Sequence, residues 1–490
     1  MRAHRNAIVC IAAVGALILA ADAAFAQRAF SRGPSANISV PSRGGGGYYG
    51  GGGYRSGWAG GVFMAPLQPL PPGFGPIIEG GDIDDTGNGP GPRRTQRGTS
   101  GVPSANERRL VPDEVVVEIA NSVSPQQIDA LQRRHRLTRI ESQTFQLSGT
   151  TLLRWRIPDR RSVATVVRAL EADRTVASAQ PNYLFTLQQD ETKAAPEGDA
   201  AQYELAKLHL PQAHTLAKGD KVLVAVIDSG VDANHPELAG AITQTYNTLS
   251  PPMTPHKHGT GIAGLIAAHG KLMGAAPAAH ILAIRAFDGT GESAEGTTFN
   301  ILKGLDWAAA NGASVINMSF AGPPDPAIHR SLGAAHKKGI VLVAAAGNAG
   351  PKSPPLYPAA DPNVIAVTAT DADDKLFPQS NRGHYIAVAA PGTQILVAIP
   401  DGGYEVSSGT SYSAAEVSGI VALMLERKGD LTPDKVRDLL MVSAKDLGPK
   451  GRDIMFGAGL ADAYGALMAE AAPVAAAVPR PAERASTGAR

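Results

Sequence analysis

The chain has 490 residues, of which 43% are hydrophobic and 18% are charged, and its formal net charge is +1. This length and composition are sufficient for a large buried core. A near-neutral chain lacks the basic excess that is typical of nucleic-acid-binding proteins, so we expect no nucleic-acid partner.

The first 26 residues have the pattern of a secretory signal peptide. Two arginines precede an apolar run over residues 7–20, and residues 24–26 form a small-x-small cleavage signature. The sequence therefore predicts a secreted or periplasmic protein once this segment is cleaved. An uncleaved membrane anchor is the alternative, but the run is shorter than the roughly 20 residues that a spanning helix needs, and we expect no stable membrane span in the mature form. The single cysteine, Cys10, lies inside this segment, which excludes cysteine protease chemistry and disulfides in the mature protein.

Two further segments have biased compositions. Residues 27–112 are rich in Gly, Pro, Ser and Arg, and residues 469–490 are rich in Ala and Pro. The first cannot bury enough apolar area to offset its chain entropy, so we expect a disordered spacer there. Adhesion to a surface through Tyr48 and Tyr49 is an alternative role for it. The second is expected to be a tail without a core pattern.

Residues 113–187 have the pattern of a small α+β module. Ser124 is expected to cap the first of its helices. The pattern predicts, in chain order, a strand at 115–119, a helix at 124–134, a strand at 151–157, a helix at 162–172 and an extended segment at 176–185. Residues 188–201 are polar and contain Pro and Gly, as expected of a linker.

The largest block, residues 202–468, alternates apolar runs with helical patterns. Strands that are apolar on both faces and separated by helices indicate a parallel sheet covered by helices on both faces, an α/β fold. We expect strands at 221–227, 280–285, 314–318, 340–345 and 364–369. Functional groups collect at the carboxyl ends of such strands, which directs attention to Asp228, residues 317–322, Gly347 and Asn348.

Three segments of this block carry a family resemblance. Residues 224–232, followed by 235–238, resemble the aspartate motif of subtilisin-like serine proteases. Residues 258–264 are similar to the histidine motif of that family, and residues 409–415 to its serine motif. The motifs stand in the order Asp, His, Ser, which is the subtilisin order.

The remaining motifs extend the resemblance over the whole block. Residues 344–348 resemble the segment that carries the oxyanion asparagine, and residues 316–322 resemble the strand that pairs with bound substrate. The resemblance implies a subtilisin-like α/β fold, preceded by a small α+β propeptide, and a serine endopeptidase that processes itself. A catalytically silent binding or scaffold protein on the same fold is the alternative. The presence of all four polar residues of these motifs, Asp228, His258, Asn348 and Ser411, argues against it.

The resemblance implies a role for each of these four residues. A serine hydroxyl is a poor nucleophile until a base takes its proton, so Ser411 needs His258, and His258 needs Asp228 to fix its tautomer and stabilise its charged form. Ser411 also opens an apolar helical run, which would point its backbone N–H toward an oxyanion. Asn348 would supply the second donor.

The same resemblance implies a substrate-binding set with a loose preference for apolar side chains. We expect this set to comprise Ser319, Phe320, Ala321, Gly322, Ala346 and Gly347. Ala321 stands where a glycine is common, and its methyl group would restrict large side chains. Gly261, Tyr412 and Ala415 are further departures, since the family often has histidine, methionine and proline at those positions.

No metal ion or other cofactor is expected. Residues 259–264 fit G-x-G-x-x-G, but residues 251–257 are not an apolar strand leading into it and no acidic residue follows at the usual spacing, so we reject a dinucleotide site. His256 and His258 have neither helical spacing nor further ligands for zinc. Residues 269–274 are short compared with the calcium loop of many relatives and contain no carboxylate or Asn, so calcium is unsupported there.

The expected partners are protein or peptide substrates and the chain's own propeptide. Residues 113–187 resemble the propeptide that chaperones and inhibits these proteases, and residues 181–187 would lie along the cleft as a product-like strand. A small partner-binding domain is the alternative reading of this module.

Overall fold

The computed structural model describes residues 100–188, 202–250, 252–289 and 294–471. The predicted signal peptide, most of the predicted spacer and nearly all of the predicted linker and tail lie outside these residues. The described residues belong to one compact unit, Gly91–Arg490. Within the described ranges, no helix combines the length and the apolar character needed to cross a membrane.

The amino-terminal module is a four-stranded antiparallel sheet, in the order β2-β3-β1-β4, with two helices. Its elements are β1 (Leu110–Ala120), α1 (Pro125–His135), β2 (Thr138–Phe145), β3 (Thr150–Arg156), α2 (Val163–Glu171) and β4 (Ser178–Leu187). The two predicted helices and three predicted strands are confirmed. Strand β2 was not predicted, because it is a polar edge strand in which Phe145 is the one buried residue.

Local sequence explains how this module forms. Ser124 caps α1, since its side chain accepts a hydrogen bond from the backbone N–H of Gln127 at 3.3 Å while Gln127 Oε1 accepts from the backbone N–H of Ser124 at 2.8 Å. Alternate residues of β1 point to opposite faces of the sheet. Val115 and Val117 pack with Trp155 in the core of the module, whereas Val116 packs into the core of the larger block. The module is therefore docked on that block through the second face of its sheet.

The larger block is built on a seven-stranded parallel sheet in the order β14-β13-β12-β10-β5-β7-β6. The strands of the block are β5 (Leu223–Asp228), β6 (Ile242–Asn247), β7 (His280–Arg285), β8 (Phe287–Asp288), β9 (Glu295–Thr297), β10 (Val315–Met318), β11 (Phe320–Ala321), β12 (Val341–Ala345), β13 (Ile365–Thr370), β14 (Ile386–Pro391), β15 (Ile395–Ile399) and β16 (Gly403–Ser407). The helices are α3 (Tyr203–Lys207), α4 (Leu210–Ala213), α5 (Lys257–Ala267), α6 (Thr298–Ala310), α7 (Pro326–Lys337), α8 (Thr410–Arg427), α9 (Pro433–Ser443) and α10 (Ala463–Ala471).

Helices cover both faces of this sheet, as the apolar strands predict. Val224 and Val226 of β5 share a core with α5 and α8, while Ala225 and Ile227 of the same strand share a core with α6 and α7. All five predicted strands are present as β5, β7, β10, β12 and β13. The sequence did not predict β6, a mostly exposed edge strand, or β14, in which alanines separate two β-branched residues.

Two features of this fold position the site. Helix α8 is buried along Thr410–Met424 and holds Ser411 in its first turn, at the carboxyl edge of the sheet. Strand β4 leaves the amino-terminal module and pairs antiparallel with both β9 and β11. The end of the module therefore lies as an extended strand between two strands of the larger block.

Candidate active site

Asp228 and His258 form a buried hydrogen-bonded pair. Asp228 is the last residue of β5, and His258 lies in the first turn of α5. Asp228 Oδ1 and His258 Nδ1 are 2.8 Å apart, and neither side chain is exposed. When Nδ1 of a neutral imidazole donates to the carboxylate, the lone pair lies on Nε2, and His258 Nε2 has no hydrogen-bond partner among the described residues. The pair therefore leaves Nε2 available.

Ser229 and His256 support this pair. The backbone N–H and the hydroxyl of Ser229 lie 2.7 and 2.9 Å from Asp228 Oδ1, so both can donate to the carboxylate. Ser229 Oγ is also 2.8 Å from His256 Nδ1, which accepts from the backbone N–H of His258 at 3.3 Å and caps α5. The orientation of Asp228 is thus set by its own neighbour in sequence.

Ser411 lies at the amino-terminal end of α8, which shares a core with α5, the helix that carries His258. The ring of the next residue, Tyr412, is centred 6.0 Å from that of His258. Ser411 Oγ donates to the carbonyl oxygen of Ser319 at 3.0 Å and not to His258 Nε2. The structure therefore brings the three predicted residues to one edge of the sheet, with the serine hydroxyl turned toward β11.

Two N–H donors converge beside Ser411. The amide oxygen of Asn348 accepts from the backbone N–H and the hydroxyl of Thr410, at 3.2 and 2.8 Å. The Asn348 Nδ2 group is buried and has no hydrogen-bond partner among the described residues. Thr410 thus orients the amide so that its NH2 group is left available. The second donor is the backbone N–H of Ser411 itself.

The end of β4 occupies the cleft in front of these groups. Residues 184–186 pair with β9, and residues 186–187 pair with β11. Gln188, which the sequence predicted as the start of the linker, donates its backbone N–H to the carbonyl oxygen of Ser319 at 3.3 Å, and its own carbonyl oxygen accepts from the backbone N–H of Ser411 at 3.3 Å. The chain therefore enters the cleft as a substrate-like strand.

Phe185 fills an aromatic pocket on this strand. It is fully buried, and its ring lies edge-on to Phe320 with centroids 6.0 Å apart. The ring of Phe287 packs against Phe320, with centroids 4.8 Å apart. A Cβ atom on Gly322 would stand 2.3 Å from the Phe185 ring, so only glycine leaves room for this side chain.

Of the other predicted binding residues, Ala321 lies on the cleft strand β11, whereas Ala346 and Gly347 directly follow β12. Ala321 pairs with Thr186 and is buried. Ala346 is buried, and its carbonyl oxygen accepts from the Tyr385 hydroxyl at 3.2 Å. Gly347 has φ +109°, and a Cβ atom there would lie 2.9 Å from Leu356, so this bend requires glycine.

Glu237 holds the short loop at residues 269–273. Its carboxylate accepts from the backbone N–H groups of Gly270, Lys271 and Leu272 at 2.9–3.0 Å and from the Tyr404 hydroxyl at 2.6 Å. Burial acts to raise the pKa of Glu237, but these hydrogen bonds outweigh it and hold the pKa below its usual value. The backbone N–H groups of this loop point toward the Glu237 carboxylate, whereas a calcium ion needs oxygen ligands. Among the described residues, no three His, Cys, Asp or Glu side chains cluster as a metal site would need.

Sequence reasoning missed Ser229, Thr410 and Gln188. Ser229 follows Asp228 and Thr410 precedes Ser411, so a hydroxyl directly beside a predicted catalytic residue was the available signal. Gln188 had no local signal, because its contacts with Ser319, Asn348 and Ser411 join residues more than a hundred positions apart.

Comparison with known proteins places these features in context. Residues 219–459 match the subtilase family, and residues 97–182 match the fervidolysin N-terminal prodomain. Thermitase from Thermoactinomyces vulgaris is 38% identical over 237 residues, which is 47% of this chain and 84% of thermitase. Subtilisin E from Bacillus subtilis (strain 168) is 34% identical over 292 residues, 58% of this chain and 74% of that protein. The crystal structure of fervidolysin from Fervidobacterium pennivorans, described as a keratinolytic enzyme related to subtilisin, matches with a TM-score of 0.62 and 25% identity, covering 73% of this chain and 61% of that chain.

Proposed function

The chain belongs to the subtilase family of serine proteases, and from that premise we propose that Asp228, His258 and Ser411 are its catalytic residues. The hydrogen bond between Asp228 and His258, with Nε2 of the imidazole buried and unpartnered, carries this proposal. A carboxylate that fixes the tautomer of a histidine leaves the opposite nitrogen ready to act as a base.

The reaction follows from these positions. Ser411 Oγ turns from the Ser319 carbonyl to His258 Nε2, gives up its proton and attacks the substrate carbonyl carbon. The developing oxyanion receives hydrogen bonds from the Ser411 backbone N–H and from Asn348 Nδ2, which are strongest when the charge is formed. His258 then protonates the leaving amine, and a water molecule hydrolyses the acyl-enzyme by the same route. Asp228 stabilises the charged imidazole in both halves.

Substrate binding follows the pattern of strand β4. An extended peptide adds a strand between β9 and β11 through its backbone hydrogen bonds, while its side chains enter separate pockets. Backbone pairing is largely independent of sequence, which suits an endopeptidase that acts on protein substrates.

The amino-terminal module acts as the enzyme's own inhibitor, in preference to a separate partner-binding domain. It contacts the first turns of two helices of the larger block. Gln180 Oε1 accepts from the Ala327 N–H of α7 at 2.9 Å, a donor that it shares with the N-cap residue Asp325, and Asn182 Oδ1 accepts from the Phe299 N–H of α6 at 3.2 Å. Arg330 of α7 also forms an ion pair with Glu118 of the module. Together with β4 in the cleft, these contacts support a module that excludes substrate until it is released.

Secretion and independence of calcium complete the proposal. The signal-peptide pattern supports export, to the periplasm or beyond it. The hydrogen bonds from residues 270–272 to Glu237 support a loop that is held without calcium. We therefore propose that this loop needs no calcium ion.

The experiment is removal of the nucleophile. Ser411→Ala should reduce hydrolysis of casein by about a million-fold, the loss known when a subtilisin loses its serine, and should accumulate as an unprocessed precursor. A sulfonyl fluoride should label wild type at Ser411 and leave the variant unlabelled. Normal hydrolysis and processing by the variant would overturn the assignment.

A further inference from the structure

Gln188 is held in the cleft by its side chain as well as its backbone. Its Oε1 atom accepts from the backbone N–H of Asn348 at 2.8 Å. Its Nε2 group turns back toward the carbonyl oxygens of Thr186 and Leu187, at 3.0 and 3.1 Å. Both halves of the amide therefore have partners, and the side chain is only 8% exposed.

The carbonyl group of Gln188 is the one that faces the catalytic machinery. Its oxygen accepts from the Ser411 backbone N–H, and its backbone N–H donates to Ser319. The residues before it run in register with β9 and β11, so the position of Gln188 is fixed by pairing on both sides. A slip of one residue would remove Phe185 from its aromatic pocket.

From this geometry we propose that the peptide bond following Gln188 is the first one the enzyme cuts in its own chain, and that glutamine is its preferred residue on the acyl side of a cut. The proposal rests on the proposed function and adds to it a bond and a substrate class: extended segments with glutamine before the cut and an aromatic residue three positions earlier. The recognising groups are the main-chain N–H of Asn348 and the pocket around Phe185.

Ser411, His258 and one water molecule account for every bond and proton in this cut. The bond between Ser411 Oγ and the Gln188 carbonyl carbon forms as the bond from that carbon to the next nitrogen breaks. The serine proton passes through His258 Nε2 to the departing amine of Gln189. Water then gives its hydroxyl to the acyl carbon and its proton back to Ser411 by way of His258, which leaves a carboxylate on Gln188.

The amide explains why other residues are disfavoured. Methionine has a similar length but neither accepts from the Asn348 N–H nor donates to the two carbonyl oxygens, so it leaves buried polar groups unpaired. Glutamate keeps an acceptor for Asn348 but directs a charged oxygen toward the Thr186 and Leu187 carbonyls. Each substitution should therefore slow the cut.

The first test follows processing of the full-length precursor. Intact-mass measurement should find a released prodomain that ends at Gln188 and a mature chain that begins at Gln189, with or without loss of ammonia by cyclisation of its amino-terminal glutamine. Gln188→Met should slow processing about five- to tenfold, the value of about one lost neutral hydrogen bond. Gln126→Met, the same change at an exposed position of α1, is the matched control and should process at the wild-type rate.

The second test uses short substrates and the processed enzyme. Peptides carrying Phe-Thr-Leu-Gln before a fluorogenic leaving group should be cut about five- to tenfold faster than those with Met or Glu at the last position, and faster than those with Ala for Phe. A prodomain that ends elsewhere, or equal rates for Gln and Met peptides while casein is still hydrolysed, would overturn this inference alone. Identical processing of wild type and Ser411→Ala would instead overturn the proposed function.

Discussion

Two carboxylates of the larger block are buried without a hydrogen-bond partner among the described residues. Glu204 of α3 is 2% exposed and Glu416 of α8 is 1% exposed, and all four of their oxygens are unpaired. The neighbouring Tyr203 hydroxyl donates elsewhere, to the carbonyl oxygen of Thr393 at 2.8 Å. A charged oxygen in such a place is costly, so burial raises the pKa of Glu204 to about 7. Burial, and then the charge of Glu204, raises the pKa of Glu416 well above its usual value.

The sign of the pH dependence follows. Glu204 keeps its proton in the folded chain up to about pH 7, whereas in the unfolded chain it loses it near its usual value of 4.5. Unfolding therefore releases a proton between these pH values, and the free energy of unfolding falls as pH rises through them. At about 1.4 kcal/mol for each pKa unit, the loss from Glu204 alone is about 3 kcal/mol by pH 8.

Glu204→Gln should remove this loss, because a neutral amide has nearly the same shape and no proton to release. The free energy of urea unfolding is to be measured on a Ser411→Ala background, which prevents self-digestion, at about pH 5 and about pH 8. The variant should gain about 2.5 kcal/mol over its parent between the two pH values, because the unfolded chain has already lost part of this proton at pH 5. The cost of burying the neutral amide is the same at both pH values, so it cancels when the two free energies of unfolding are subtracted.

Asp430→Asn is the matched control, because Asp430 is an exposed carboxylate in the turn before α9. Its stability difference from the parent should be the same at both pH values. If Glu204→Gln behaves like this control, Glu204 does not hold its proton in the folded chain and the reasoning is wrong.

Three further predictions concern the site. Asn348→Ala should lower kcat about 100- to 1,000-fold with KM nearly unchanged, as known for the corresponding subtilisin residue, and steady-state kinetics that left kcat intact would refute its role at the oxyanion. Mild peroxide should spare most of the activity, because Tyr412 follows the nucleophile and Met318 is fully buried. The Tyr412→Met variant, compared with wild type at matched stability, should be inactivated by peroxide. Equal inactivation of the two proteins would point to another methionine. Treatment with a calcium chelator should leave the melting temperature unchanged. Glu237→Gln should lower the melting temperature, because it weakens the hydrogen bonds from three N–H groups of the loop. A large fall of the melting temperature on chelation would contradict the proposal of a calcium-free loop.

The sequence was sufficient for those features that depend on neighbouring residues. Strands β5, β7, β10, β12 and β13 are continuous apolar runs, since both faces of a parallel sheet are buried, and the runs were visible without the fold. The candidates Asp228, His258 and Ser411 stood out because the motifs around them resemble those of subtilisin-like serine proteases and stand in the same order. Strands β2 and β6 were not visible, because edge strands face solvent and lack an apolar pattern.

The tertiary structure alone decided which of these groups meet. Asn348 and Gln188 are 160 positions apart in sequence, so no local pattern could pair the main-chain N–H of one with the side chain of the other. Glu204 and Glu416 are ordinary helix residues in sequence, and only packing placed them in the interior without partners. A residue type states what a side chain is able to donate or accept, whereas the fold determines the partner it finds and the dielectric environment in which it must hold its charge.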